Sequence, residues 1–131
     1  MPNHFHFFVK QQGAGAIDKF MNSLATRYSM YFNRRYKRVG SLYQDVYKAV
    51  LVTDDAQFIH LSKYIHQQAL EIGPNQPSSF LDYLGLRKSL WSHPEEILVY
   101  FSETNPSLTY KDFVLETSNV DNLGVLTLEE E

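Results

Sequence analysis

From Asn3 to Lys10 the chain alternates, reading Asn3-His4-Phe5-His6-Phe7-Phe8-Val9-Lys10. A period of two belongs to extended backbone, where successive side chains point to opposite faces. As a strand, this stretch puts His4, His6 and Phe8 on one face and Phe5, Phe7 and Val9 on the other. Two imidazoles separated by one strand residue sit side by side and can grip a single ion. The apolar residue between them anchors the strand into a core. An edge strand with two ordinary histidines accounts for the same residues, and the pattern alone leaves both readings open.

Other features narrow the class. The length of 131 residues suits one domain with a real core. No apolar run approaches the roughly 18 residues that cross a bilayer, so no membrane partner is expected. The first residues lack the charged n-region and apolar h-region of a signal peptide. The absence of cysteine excludes disulfides and thiolate metal sites, which fits a cytoplasmic protein. Charge is divided along the chain. Residues 1–50 hold eight basic residues against two acidic ones, and residues 51–131 hold four against thirteen. A basic, tyrosine-rich half suits a nucleic-acid surface, or equally a solvated face over an aromatic core.

After a glycine-containing turn, Ile17, Phe20, Met21, Leu24, Tyr28, Tyr31 and Phe32 recur at helical spacing, predicting a helix from Ala16 to about Arg35. Arg34, Arg35, Lys37 and Arg38 cluster at its end. The helix dipole favours cations there, and the cluster is also the best phosphate-contacting stretch of the chain. Ser41 to Val52 reads as a strand. Thr53-Asp54-Asp55 then opens a helix to about Ile72 that Gly73-Pro74 stops. Its expected buried face is Phe58, Leu61, Ile65, Ala69 and Ile72, and its other face carries His60, Tyr64 and Gln68. Beyond it, Ser79 to Asp82 starts a short helix closed by Gly85. Ser92-His93-Pro94-Glu95 reads as a capping box opening a helix to about Phe101. Thr109 to Asp112 starts a last helix. The tail from Asn119 is expected to be irregular, with Glu129-Glu130-Glu131 frayed.

Tyr64 and Gln68 stand one helical turn apart. If their helix packed against the face holding His4 and His6, two imidazoles and an amide oxygen could hold a divalent ion beside a phenol. A metal that polarises a phosphate next to a tyrosine makes a phosphoryl-transfer site. An unrelated zinc hydrolase fits less well, since no third histidine or carboxylate is spaced for it.

Several stretches taken together resemble the single-tyrosine transposases of the insertion-sequence-200-like superfamily, most closely the REP-associated tyrosine transposases. They are Met1-Pro2-Asn3-His4-Phe5-His6, Tyr28-Ser29-Met30-Tyr31-Phe32-Asn33-Arg34-Arg35-Tyr36, Gly40-Ser41-Leu42-Tyr43-Gln44 and Tyr64-Ile65-His66. The likeness continues more weakly through Ser78-Ser79-Phe80, Tyr83-Leu84-Gly85 and Tyr110-Lys111-Asp112-Phe113-Val114. It implies that His4 and His6 are the His-hydrophobe-His (HUH) pair for Mg²⁺ or Mn²⁺. It further implies that Tyr64 is the nucleophile on single-stranded or hairpin DNA, and that Gln68 is the third ligand, where this branch more often has Asn-Pro.

The implied fold is α+β, a ferredoxin-like α/β sandwich of the HUH nuclease type. The chain as given starts inside the motif, so the first strand-helix-strand is expected to be lacking. Residues 1–74 would form the truncated catalytic domain, and residues 75–131 a helical C-terminal extension of it. A sheet edge exposed in this way would invite a homodimer. The implied function is cleavage and rejoining of single-stranded DNA through a 5′-phosphotyrosine. The alternative is a non-catalytic remnant that binds single-stranded or hairpin DNA through Arg34, Arg35, Lys37 and Arg38. Neither His60 nor His66 receives a role.

Overall fold

The structure is a computed structural model and describes residues 3–116. Among these residues five helices follow in order: α1 (Ala16–Tyr36), α2 (Asp55–Ile72), α3 (Phe80–Tyr83), α4 (Glu95–Leu98) and α5 (Pro106–Leu115). The expected α/β sandwich is overturned, because no strand or sheet forms among the described residues. Residues 4–11 and most of 41–53 are irregular, without a ladder. The physical reason is pairing: period-two patterning makes a strand only where another strand takes up its N–H and C=O groups. The sheet edge expected to recruit a second copy is likewise absent among the described residues. The tail from Asn119, with Glu129-Glu130-Glu131, lies outside those residues.

The chain divides into two compact units. One holds residues 9–50. Its helix α1 begins after Gly15, whose φ of 72° lies in the left-handed region that glycine tolerates. It ends at Lys37, a non-glycine residue at φ 52°, where a side chain costs about 1 kcal/mol. Asn33 secures that turn, donating from Nδ2 to the Gly40 carbonyl at 2.9 Å while its own carbonyl accepts from Arg38 N–H at 2.9 Å. Helix α1 buries no residue fully. The strand expected over 41–52 is instead irregular, with bends at Leu42, Gln44 and Asp45. Ser41 Oγ donates to the Tyr43 carbonyl at 2.6 Å, and the Tyr47 hydroxyl donates to Asp18.

The other unit gathers residues 3–8 with 51–116 and contains the core. Phe80, Tyr83, Ile97, Tyr110 and Val114 are buried, and Phe8, Phe58, Leu84, Leu98, Phe101 and Phe113 pack around them. Helix α2 starts where expected, the Asp54 carboxylate accepting from Gln57 N–H at 2.8 Å. Its buried face differs from the expected one. Ser62, Lys63 and His66 are buried, while Phe58, Leu61, Ile65 and Ala69 are half-buried and Ile72 is exposed. The rotation occurs because α5 covers the side of α2 that carries hydrogen-bonding groups.

Two further expectations change. Helix α4 starts after Pro94 and forms no side-chain cap. Glu95 is held by His93 Nδ1 at 3.0 Å instead of closing a box, and the helix stops at Leu98. Helix α5 begins three residues before Thr109, with Pro106 in its first turn. Between α3 and α4 the chain is pinned by Asp82. It accepts from Arg87 Nε at 3.1 Å and from Ser89 N–H at 2.8 Å, and the Arg87 guanidinium holds its carboxyl below the usual range.

Candidate active site

The N-terminal stretch lies along α2 in the same unit. Phe8 packs on Phe58 with ring centroids 5.0 Å apart, and His6 meets Tyr64 at 6.3 Å. Residue numbers rise along one segment as they fall along the other, so the two run antiparallel. The face that packs is therefore His6 and Phe8. Phe5, expected to anchor a strand, and Phe7 and Val9 on the same face are about half exposed, and Phe5 and Phe7 pack on each other at 4.9 Å. With no sheet among the described residues, this segment buries the face that meets a helix.

His4 and His6 lie edge to face, with ring centroids 5.2 Å apart. His4 Nδ1 donates to Asn3 Oδ1 at 2.7 Å, since a carbonyl oxygen can only accept. In the neutral ring this puts the His4 lone pair on Nε2, the fixing of a tautomer by an outer partner that metal-binding histidines use. One helical turn past Tyr64, Gln68 donates from Nε2 to the phenol oxygen. His6 Nε2 and Gln68 Oε1 are both shielded from solvent. His4, His6, Tyr64 and Gln68 thus come together in one unit. Among the described residues no three His, Cys, Asp or Glu side chains gather, so a cation here would need the amide oxygen. Two imidazoles and a carbonyl oxygen are a donor set suited to a small divalent ion.

Arg34, Arg35, Lys37 and Arg38 are exposed and belong to the other unit, on the last turn of α1 and the turn after it. Arg38 lies over the Phe32 ring at 5.7 Å, and Tyr31, Arg34 and Arg35 line a shallow depression.

His66, for which the sequence suggests no role, is the polar hub of the core. Ser62 O–H donates to the Ile59 carbonyl at 2.7 Å, and the Tyr110 hydroxyl donates to Ser62 Oγ at 3.1 Å. The Tyr110 oxygen can then accept from His66 Nδ1–H at 2.7 Å, leaving His66 Nε2 to accept from the Ser79 hydroxyl at 2.9 Å. Every donor has an acceptor when His66 is neutral. Phe80, Tyr83 and Tyr110 cage the ring at 5.3, 4.7 and 5.8 Å. The available signal was Ser62 and His66 at i and i+4 on one side of α2.

Burial lowers the His66 pKa to about 4. A histidine whose folded pKa lies below its unfolded value binds its proton better in the unfolded chain. Its contribution to stability is present above about 6.5 and is lost as pH falls toward about 4. Urea denaturation at pH 7 and pH 5 is expected to show about 2 kcal/mol less stability at pH 5 from this group. A His66→Gln variant is expected to flatten the change, and an unchanged slope would count against His66 as its source.

No helix of the described residues is long and apolar enough to cross a membrane. A family described as "Transposase IS200 like" matches residues 1–68, just over half of the chain. No curated protein and no solved structure matches.

Proposed function

The chain belongs to the IS200-like transposase family, and from that premise we propose that it cleaves and rejoins single-stranded DNA with Tyr64 as nucleophile. The observation that carries this is the approach of Tyr64 to His6, with Gln68 on the phenol oxygen. The phenol oxygen would bond to phosphorus as the bond to the 3′-oxygen breaks. The phenol proton leaves to solvent, and the departing 3′-oxygen takes one up. The products are a 5′-phosphotyrosine and a free 3′-hydroxyl, and a 3′-hydroxyl attacking that linkage reverses the step and joins strands. His4, His6 and Gln68 would hold Mg²⁺ or Mn²⁺, which when bound polarises the phosphate. The quoted motifs favour the REP-associated branch, and with it hairpin DNA. The test is incubation with a single-stranded oligonucleotide and Mn²⁺. The expected result is a covalent protein–DNA adduct that peptide mass spectrometry places on Tyr64. An adduct on another residue would overturn the assignment.

The second reading is DNA binding without cleavage, favoured by the charge of residues 9–50. They carry eight basic residues against Asp18 and Asp45, a balance of +6. Neutralising Arg34, Arg35, Lys37 and Arg38 together is expected to lower the slope of log K against log salt by about 3, at about 0.7 per single-strand phosphate contact. Fluorescence anisotropy across a salt series measures it. An unchanged slope would place the DNA contacts elsewhere.

A further inference from the structure

We propose that Gln68 is a positioning residue for Tyr64, beyond its role as a ligand: its carboxamide bridges the nucleophile and the cation site. The inference rests on the reading of Tyr64 as nucleophile given above. The two ends of a carboxamide differ chemically, since Nε2 only donates and Oε1 only accepts or ligates. Here Nε2 donates to the Tyr64 oxygen, so Oε1, the end with lone pairs, is the one whose chemistry suits a cation. One planar group thereby fixes the phenol oxygen relative to a prospective cation.

The platform suits this task. Both residues stand one turn apart on an 18-residue helix whose first turn is capped and whose neighbouring residue His66 is locked in the core. A phenol ring alone is held through χ1 and packing, so its oxygen can swing. A hydrogen bond from the following turn removes that freedom. Holding a nucleophile in attack geometry contributes to rate without contributing to substrate affinity. The ligand role alone asks only for an oxygen at position 68, whereas the bridge also asks for an N–H.

Gln68→Glu separates the two demands, because it keeps an oxygen ligand and puts an acceptor where the donor stood. Calorimetry with Mn²⁺ alone is expected to show binding at least as tight as in the wild-type chain. Adduct formation is expected to slow about a hundredfold in kcat, with KM for the oligonucleotide unchanged. An independent readout needs neither metal nor DNA. The side-chain amide ¹H–¹⁵N resonances of Gln68 are expected to shift in Tyr64→Phe, as the hydrogen bond to the phenol is lost. A Gln68→Glu protein that forms adduct at the wild-type rate would overturn the proposal, and so would amide resonances that do not move. Failure of the nucleophile reading looks different: the wild-type chain forms no adduct on Tyr64 while the amide resonances still shift.

Discussion

Tyr64→Phe is expected to form no covalent adduct with single-stranded DNA in Mg²⁺ or Mn²⁺, a loss of at least about a thousandfold. The size follows from chemistry, because phenylalanine offers no atom that can bond to phosphorus. Tuning residues reduce a rate; removal of the nucleophile ends it. The ring is retained, so the packing against His6 at 6.3 Å should persist. The hydrogen bond from Gln68 is lost, at a cost to stability of about 1 kcal/mol. Affinity for the oligonucleotide should change little if Arg34, Arg35, Lys37 and Arg38 supply the phosphate contacts. Denaturing gel electrophoresis of a labelled oligonucleotide reads the adduct, and anisotropy reads binding. Equal adduct from both proteins would end the claim for Tyr64. Binding with no adduct from either would favour the non-cleaving reading.

How far the sequence reaches differs between helices and extended segments. A helix closes its hydrogen bonds within its own residues, so periodicity and caps suffice to locate it. Helices α1 and α2 and the cap at Asp54 are accordingly legible, with ends off by a residue or two. A strand closes its hydrogen bonds on other residues, so the alternation at His4 to Val9 fixes side-chain faces but not a partner. The partner it meets is helix α2. That one substitution reverses which face is buried, exposing Phe5 and Phe7 and covering His6 and Phe8. The contacts of His4 with His6, of His6 with Tyr64 and of Tyr64 with Gln68 were open to a reader of spacing because they need only two segments laid side by side. The hub at His66 was not, since it depends on Tyr110, 44 residues away, and on Ser79.

Tyr110→Ala is expected to destabilise the chain by about 3–5 kcal/mol, a large part of the about 5–15 kcal/mol that holds a typical domain folded. Tyr110 is fully buried, and its ring packs on Tyr83, Phe101 and Phe113 with centroids 4.9, 5.2 and 6.3 Å away. Truncation leaves a void bounded by aromatic rings that cannot collapse far. Tyr110→Phe keeps the ring and removes the oxygen between His66 and Ser62. Its expected cost is about 1–3 kcal/mol, the penalty for stranding the buried His66 Nδ1–H, since Ser62 keeps its bond to the Ile59 carbonyl. The pair of variants thus divides the residue into packing and hydrogen bonding, both read by urea denaturation at pH 7. A Tyr110→Phe protein as stable as wild type would show that the polar chain from Ser79 to Ser62 contributes nothing. A Tyr110→Ala protein that unfolds at the wild-type midpoint would remove α5 from the core. The effect should also reach the candidate site, because His66 stands two residues from both Tyr64 and Gln68 on α2. Loosening its ring frees the helical turn that presents them. Adduct formation should therefore fall in Tyr110→Phe even under conditions where the protein remains folded.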